Sequence, residues 1–235
     1  METLDNWITG NQSLAFYAIM LCSFLFNRLP YAGVFFRTVN TLLHESGHAI
    51  GAVLTSGEVV KIELNKDTSG IAQTKSKSKT SAFITSFAGY PFAAAVSSVL
   101  LVLSMNGQHK MVAFILLSLV ILNLMLFVRN TFGVIWLLLF SGLIIVAVWY
   151  ANDVFLKILM MFVAMIAFTE TISSTMLITF LAFMKPKRSG DMANMQKTTG
   201  IPAAFWGIVN CAVVIWMVYY TIMHYFPDVK QFAVL

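Results

Sequence analysis

Charged side chains are scarce in this chain: Asp, Glu, Lys and Arg make up 11% of its 235 residues, against 59% that are hydrophobic. A soluble domain of this length needs a larger charged share to cover its surface, so the deficit excludes an ordinary globular enzyme and leaves a membrane protein. Acids are fewer than bases, 10 against 15, but the extra Lys and Arg sit beside apolar runs rather than among exposed aromatics. That pattern argues against nucleic acid as a partner and for a lipid bilayer with a juxtamembrane positive bias. Cysteine is nearly absent. Cys22 and Cys211 each fall inside an apolar segment, which excludes a disulfide framework, a cysteine zinc site and a thiol redox pair. Also missing are a glycine-rich phosphate loop, a nucleophile elbow, a Cys-His nucleophile pattern and any internal repeat.

Long apolar runs are what the chain does have. A membrane span needs about 20 mostly apolar residues, and candidates fall at 12–29, 31–54, 82–104, 111–128, 132–150, 154–184 and 202–226. They predict an all-α membrane protein, a polytopic bundle of about seven transmembrane helices forming a single membrane-embedded domain over residues 1–235. The first run is crowded by Asn11, Gln12 and Arg28 and suits partial placement in the interface. The N-terminus opens METLDNW, two acids and no base, unlike a cleavable signal, which predicts that it is retained. Trp7, Trp136, Trp149, Trp206 and Trp216 read as mostly lipid-facing or interfacial anchors, and His109 and His224 as interfacial residues near span ends.

Two polar connections interrupt the runs. Residues 56–79 alternate through Val60, Ile62 and Leu64, turn at KDTSG and resume at IAQTK, which predicts a small β-hairpin followed by a basic linker. Residues 185–202 carry breakers at both ends and predict a short helix over 191–197. If all seven runs cross, the N-terminus and the connections after the second, fourth and sixth share one side. That side holds ten basic residues and the other five. The positive-inside rule therefore places the N-terminus, the hairpin and both long connections in the cytosol, with the cell (plasma) membrane as the expected location.

The second run contains TLLHESGHAIGAVLT, with three ionisable side chains where each is costly unless partnered. His44 and His48 are four residues apart, so on a helix they share a face and can present imidazole nitrogens to one ion. With Glu45 between them they form the H-E-x-x-H arrangement: two neutral imidazoles hold Zn²⁺ and the carboxylate acts as base toward a water that the metal acidifies. Gly47, Ala49, Gly51 and Ala52 give this helix a small-residue flank, best explained by close packing against another helix.

The run HESGHAIGAVLTSGEVVKIELNKDTSG, followed in order by FAGYP, RNTFG and SGDMANMQKTTGIPAAFWG, resembles the M50B-like branch of the M50 zinc metallopeptidases, relatives of the site-2 proteases. The resemblance extends from about Phe35 to Gly207. It implies a polytopic membrane zinc metalloprotease that hydrolyses peptide bonds of membrane proteins or peptides. Site-2 proteases typically draw a third zinc ligand from an LDG motif, and this chain has none, nor a PDZ-like insertion. Several residues compete for the position. Asp191, in the segment that matches the family's Ser-Asp motif, leads; its ordinary role would be a helix N-cap. Glu170 is the alternative, a carboxylate well inside a later span but deeper than His48 by about 10 Å. Asn130, in RNTFG, suits hydrogen bonding to substrate backbone or to the attacking water, or simply turning the chain, and Asp67 suits the hairpin turn. Arg129 is expected to anchor its helix or to pair with an acid such as Asp191. The rival class is a non-catalytic membrane protein that keeps the metal site for partner or lipid binding.

Overall fold

The computed structural model describes residues 12–227, so Trp7 and the acidic N-terminus lie outside the described residues. Eight α-helices are described: α1 (Gln12–Phe26), α2 (Ala32–Leu54), α3 (Lys79–Met105), α4 (His109–Leu126), α5 (Thr131–Tyr150), α6 (Asp153–Met184), α7 (Asp191–Thr199) and α8 (Ala203–Tyr225). A hairpin of β1 (Glu58–Leu64) and β2 (Gly70–Lys75) lies between α2 and α3, and a 3₁₀ turn over Pro186–Arg188 precedes α7. Local chemistry sets several of the boundaries. Ser78 accepts a hydrogen bond from the Ser81 amide at the start of α3, and Asn152 accepts one from the Phe155 amide at the start of α6.

Five of these helices, α3, α4, α5, α6 and α8, are long and apolar enough to cross a membrane, which makes the chain a multi-pass membrane protein. α2 has the length, at 23 residues, but Arg37, His44, Glu45 and His48 break its apolar run. α1 has 15 residues, about 22 Å of helix, less than a bilayer core requires. Large apolar side chains on α4 and α5 stand outward, among them Phe114, Met125, Leu139 and Trp149, an exposure that suits lipid and not water. Trp136 differs from the expectation of an interfacial anchor. It is 2% exposed, stacks on Phe140, and donates its indole N–H to the Phe35 carbonyl at 2.8 Å.

The main core joins Leu42 and Leu43 of α2, Ile62 and Leu64 of β1, Leu100 and Leu101 of α3, and Met160 and Ala164 of α6. The hairpin is thus packed on the bundle by one face of β1. β1 and β2 pair antiparallel from Glu58 opposite Lys75 to Leu64 opposite Gly70. The outer edge of β1 is closed by the α4–α5 connection: the Ile62 amide donates to the Phe127 carbonyl at 2.8 Å and the Arg129 amide to the Ile62 carbonyl at 3.2 Å. Asn130 extends this edge. Its Nδ2 donates to the Leu64 carbonyl at 2.6 Å and its Oδ1 accepts from the Leu64 amide at 3.1 Å, so its amide imitates a backbone pair. The residue therefore fastens the hairpin to the bundle, and β2 is left as the open edge.

Candidate metal centre

α2 and α3 approach closely, because Gly47 and Gly51 on one helix face Ala88 and Gly89 on the other. The contact carries the HESGH face of α2 against the middle of α3. There, a Cβ built on Gly89 would stand 2.5 Å from Cε1 of His44 and 2.7 Å from Cε1 of His48. Both imidazoles rest on the bare backbone of Gly89. Tyr90 flanks them, with its ring centroid 4.3 Å from that of His44.

From the other side α7 delivers Asp191, its first residue. Asp191 Oδ2 lies 3.2 Å from His44 Nε2 and 3.2 Å from His48 Nε2, and the two nitrogens are 3.0 Å apart. The Nδ1 of His48 is 2.7 Å from the Thr85 carbonyl, which can only accept, so that nitrogen carries the proton and Nε2 of the neutral ring presents its lone pair to the cluster. Burial opposes ionisation of Asp191, but where His48 is instead protonated, its charge and the hydrogen bonds from both imidazoles outweigh that burial and hold the carboxyl below the usual carboxylate range.

Three ligand atoms in such a triangle fit a metal ion. A tetrahedral Zn²⁺ with ligands at about 2.0–2.1 Å spaces them about 3.3 Å apart, close to the distances here. His44, His48 and Asp191 are a group able to hold a metal ion, drawn from α2 and α7 and brought within 4.8 Å of one another. Glu45 is not part of that group. It is 4% exposed and lies beneath β2, where a Cβ on Gly70 would stand 2.5 Å from its Oε1, and the Ala72 amide donates to its carboxylate. The absence of a side chain at Gly70 is what lets the strand pass over the acid.

The other sequence candidates are elsewhere. Glu170 does not approach the histidines: its Oε1 is 2.8 Å from Nη2 of Arg37, an ion pair between α6 and α2. Asn130 is occupied by Leu64. Asp67 lies in the hairpin turn and accepts from the Ser69 amide and hydroxyl, which hold its carboxyl below its ordinary value. Arg129 donates to the carbonyls that end α4, including Leu126 at 2.7 Å, and not to Asp191. Sequence reading missed Gly89 and the Arg37–Glu170 pair. FAGYP contained the first, and two opposite charges inside apolar runs were the available signal for the second.

A cavity of about 910 Å³ opens on the triangle. One end is bounded by the open edge of β2, from Ser69 to Ala72 and Thr74, and by Asp191 and Asn194 of α7. The other end runs between α2 and α6 past Asn40 and Ser174 to Arg37, Glu170, Asn27 and Arg28.

A family model described as Peptidase M50B-like matches residues 14–221, nearly all of the described chain and every residue of the triangle. No curated protein and no solved structure matches the chain.

Proposed function

The chain belongs to the M50B-like peptidases, and on that premise we propose that it is a zinc-dependent intramembrane metalloendopeptidase acting on membrane proteins or peptides. The observation that carries the reading is the triangle of His44 Nε2, His48 Nε2 and Asp191 Oδ2 with a buried carboxylate, Glu45, on the same helix. In this reading His44, His48 and Asp191 hold the ion. Zinc would supply Lewis acidity and lower the pKa of water in the cavity toward 7. Glu45 takes the proton from the attacking water and passes it to the leaving amine. The Thr85 carbonyl keeps His48 in the ligating tautomer. Apart from the Ala72 amide, which Glu45 already takes, the open edge of β2 offers main-chain hydrogen bonds to an extended substrate segment, which in a membrane must otherwise lose the pairing of its helix.

The test is Glu45→Gln. This variant removes the base with little change of volume, so it is expected to retain zinc at the wild-type ratio and to lose peptide cleavage. Unchanged turnover would refute the assignment of Glu45. Zinc bound without any cleavage in the wild type would favour a non-catalytic metal protein.

We also propose that α2 crosses the membrane with the five apolar helices, and that the hairpin and the α6–α7 connection face the cytosol, by the excess of Lys and Arg there. Single cysteines at Lys77 and Arg188, in a variant lacking Cys22 and Cys211, are expected to react with an impermeant maleimide only after the cytosolic face is opened. Labelling of the two from opposite faces would overturn the arrangement.

A further inference from the structure

The inner end of the cavity carries charges that the proposed hydrolysis does not use. Arg37 is on the same face of α2 as His44, seven residues away, or about 10 Å along the helix. Its Nη2 bonds Glu170, but its Nε is buried without a partner. Beside it, Oδ1 of Asn27 is also buried without a partner, in a residue 7% exposed. Arg28 lines the same end, its guanidinium 5.2 Å from the centre of the Phe24 ring. This end of the cavity thus holds two guanidiniums and one carboxylate, Glu170, which pairs with Arg37. Pinning α2 to α6 accounts for the Arg37–Glu170 pair, yet it leaves the second cation and both orphaned polar atoms unexplained. The remaining acids of the cavity, Glu45, Asp67 and Asp191, lie at the metal-centre end.

We propose that this inner end is a subsite for a carboxylate of the substrate, held by Arg37 about three residues from the scissile bond. The spacing follows from the geometry: an extended chain covers about 3.3–3.6 Å per residue, so about 10 Å between the centre and Arg37 is three residues. The inference rests on the peptidase reading, since it takes the scissile bond to lie at the His44–His48–Asp191 triangle. Glu170 fixes one side of the guanidinium, and the donors left over form a fork that matches a planar carboxylate. A free C-terminus and an Asp or Glu side chain present the same anion to that fork.

Binding of labelled peptides to the zinc-loaded Glu45→Gln protein in detergent separates these possibilities. The probes are a Leu/Ala octapeptide with a free C-terminus, the same peptide amidated, and amidated peptides with one Asp at each position in turn. At least one carboxylate peptide is expected to bind about tenfold or more tightly than the plain amide. A preference for the free terminus identifies the end of a chain as ligand, and a preference for Asp at one position identifies a side chain. Arg37→Gln is expected to erase the difference while the plain amide still binds. The double variant Arg37→Gln/Glu170→Gln, which removes both members of the ion pair, should behave the same way and serves if the single variant does not fold. Equal affinity for acid and amide in the parent, or a preference that survives either variant, overturns the subsite and leaves the peptidase reading standing. Failure of every peptide to bind overturns both.

Discussion

Asp191→Ala protein is expected to lose zinc affinity by about 100-fold or more, since even groups that only orient a ligand are worth 10–100-fold. The reason lies in the donor set. Without the carboxylate the ion would keep two neutral imidazoles and no anionic ligand, in a pocket where Asp191 is the carboxylate within 4.8 Å of both nitrogens. Glu170→Gln tests the assignment from the other side. Its carboxylate is committed to Arg37, so zinc content should be unchanged. Titration of both variants with zinc in one detergent checks the pair, and full zinc retention in Asp191→Ala would remove this residue from the site.

Gly89→Ala is expected to lower zinc affinity by about 100-fold as well, through geometry alone. The new methyl would stand 2.5 Å from His44 Cε1 and 2.7 Å from His44 Nδ1 and His48 Cε1. Those atoms are ends of side chains and not backbone, so the rings swing aside and the triangle opens. Helix propensity acts in the opposite direction, because alanine in a helix interior is favoured over glycine by about 0.5–1 kcal/mol. The metal-free variant should therefore melt no lower than metal-free wild type, while zinc no longer raises its melting temperature. A variant that binds zinc normally would show that the imidazoles do not depend on the bare backbone.

Local periodicity made much of this architecture readable beforehand. Each of the seven apolar runs matches a described helix to within about three residues at either end, and the alternation of Val60, Ile62 and Leu64 corresponds to β1. The helix expected at 191–197 is present as Asp191–Thr199, bounded by glycines on both sides. The pairing of Arg37 with Glu170 was not readable, because nothing local tells which distant charge a buried arginine will meet. Gly89 escaped notice for a related reason: the value of a missing side chain depends on what fills the space. Asn130 misled because an amide that suits substrate backbone suits the protein's own backbone equally well, and Leu64 takes both of its bonds. Trp136 misled because aromatic residues near span ends usually mark the interface, whereas the Phe35 carbonyl gives this one a buried acceptor.

The triangle draws on α2, early in the chain, and on α7, which follows α6. During synthesis HESGH leaves the ribosome long before Asp191 has been translated. An M50B-like peptidase assembled in this order has no complete ligand set while its own helices are still unpaired and extended segments of its own chain are within reach. The full set of candidate ligands forms only once α7 has been made and docked, so, on the proposed reading, the order of translation itself delays hydrolysis until most of the chain has been built.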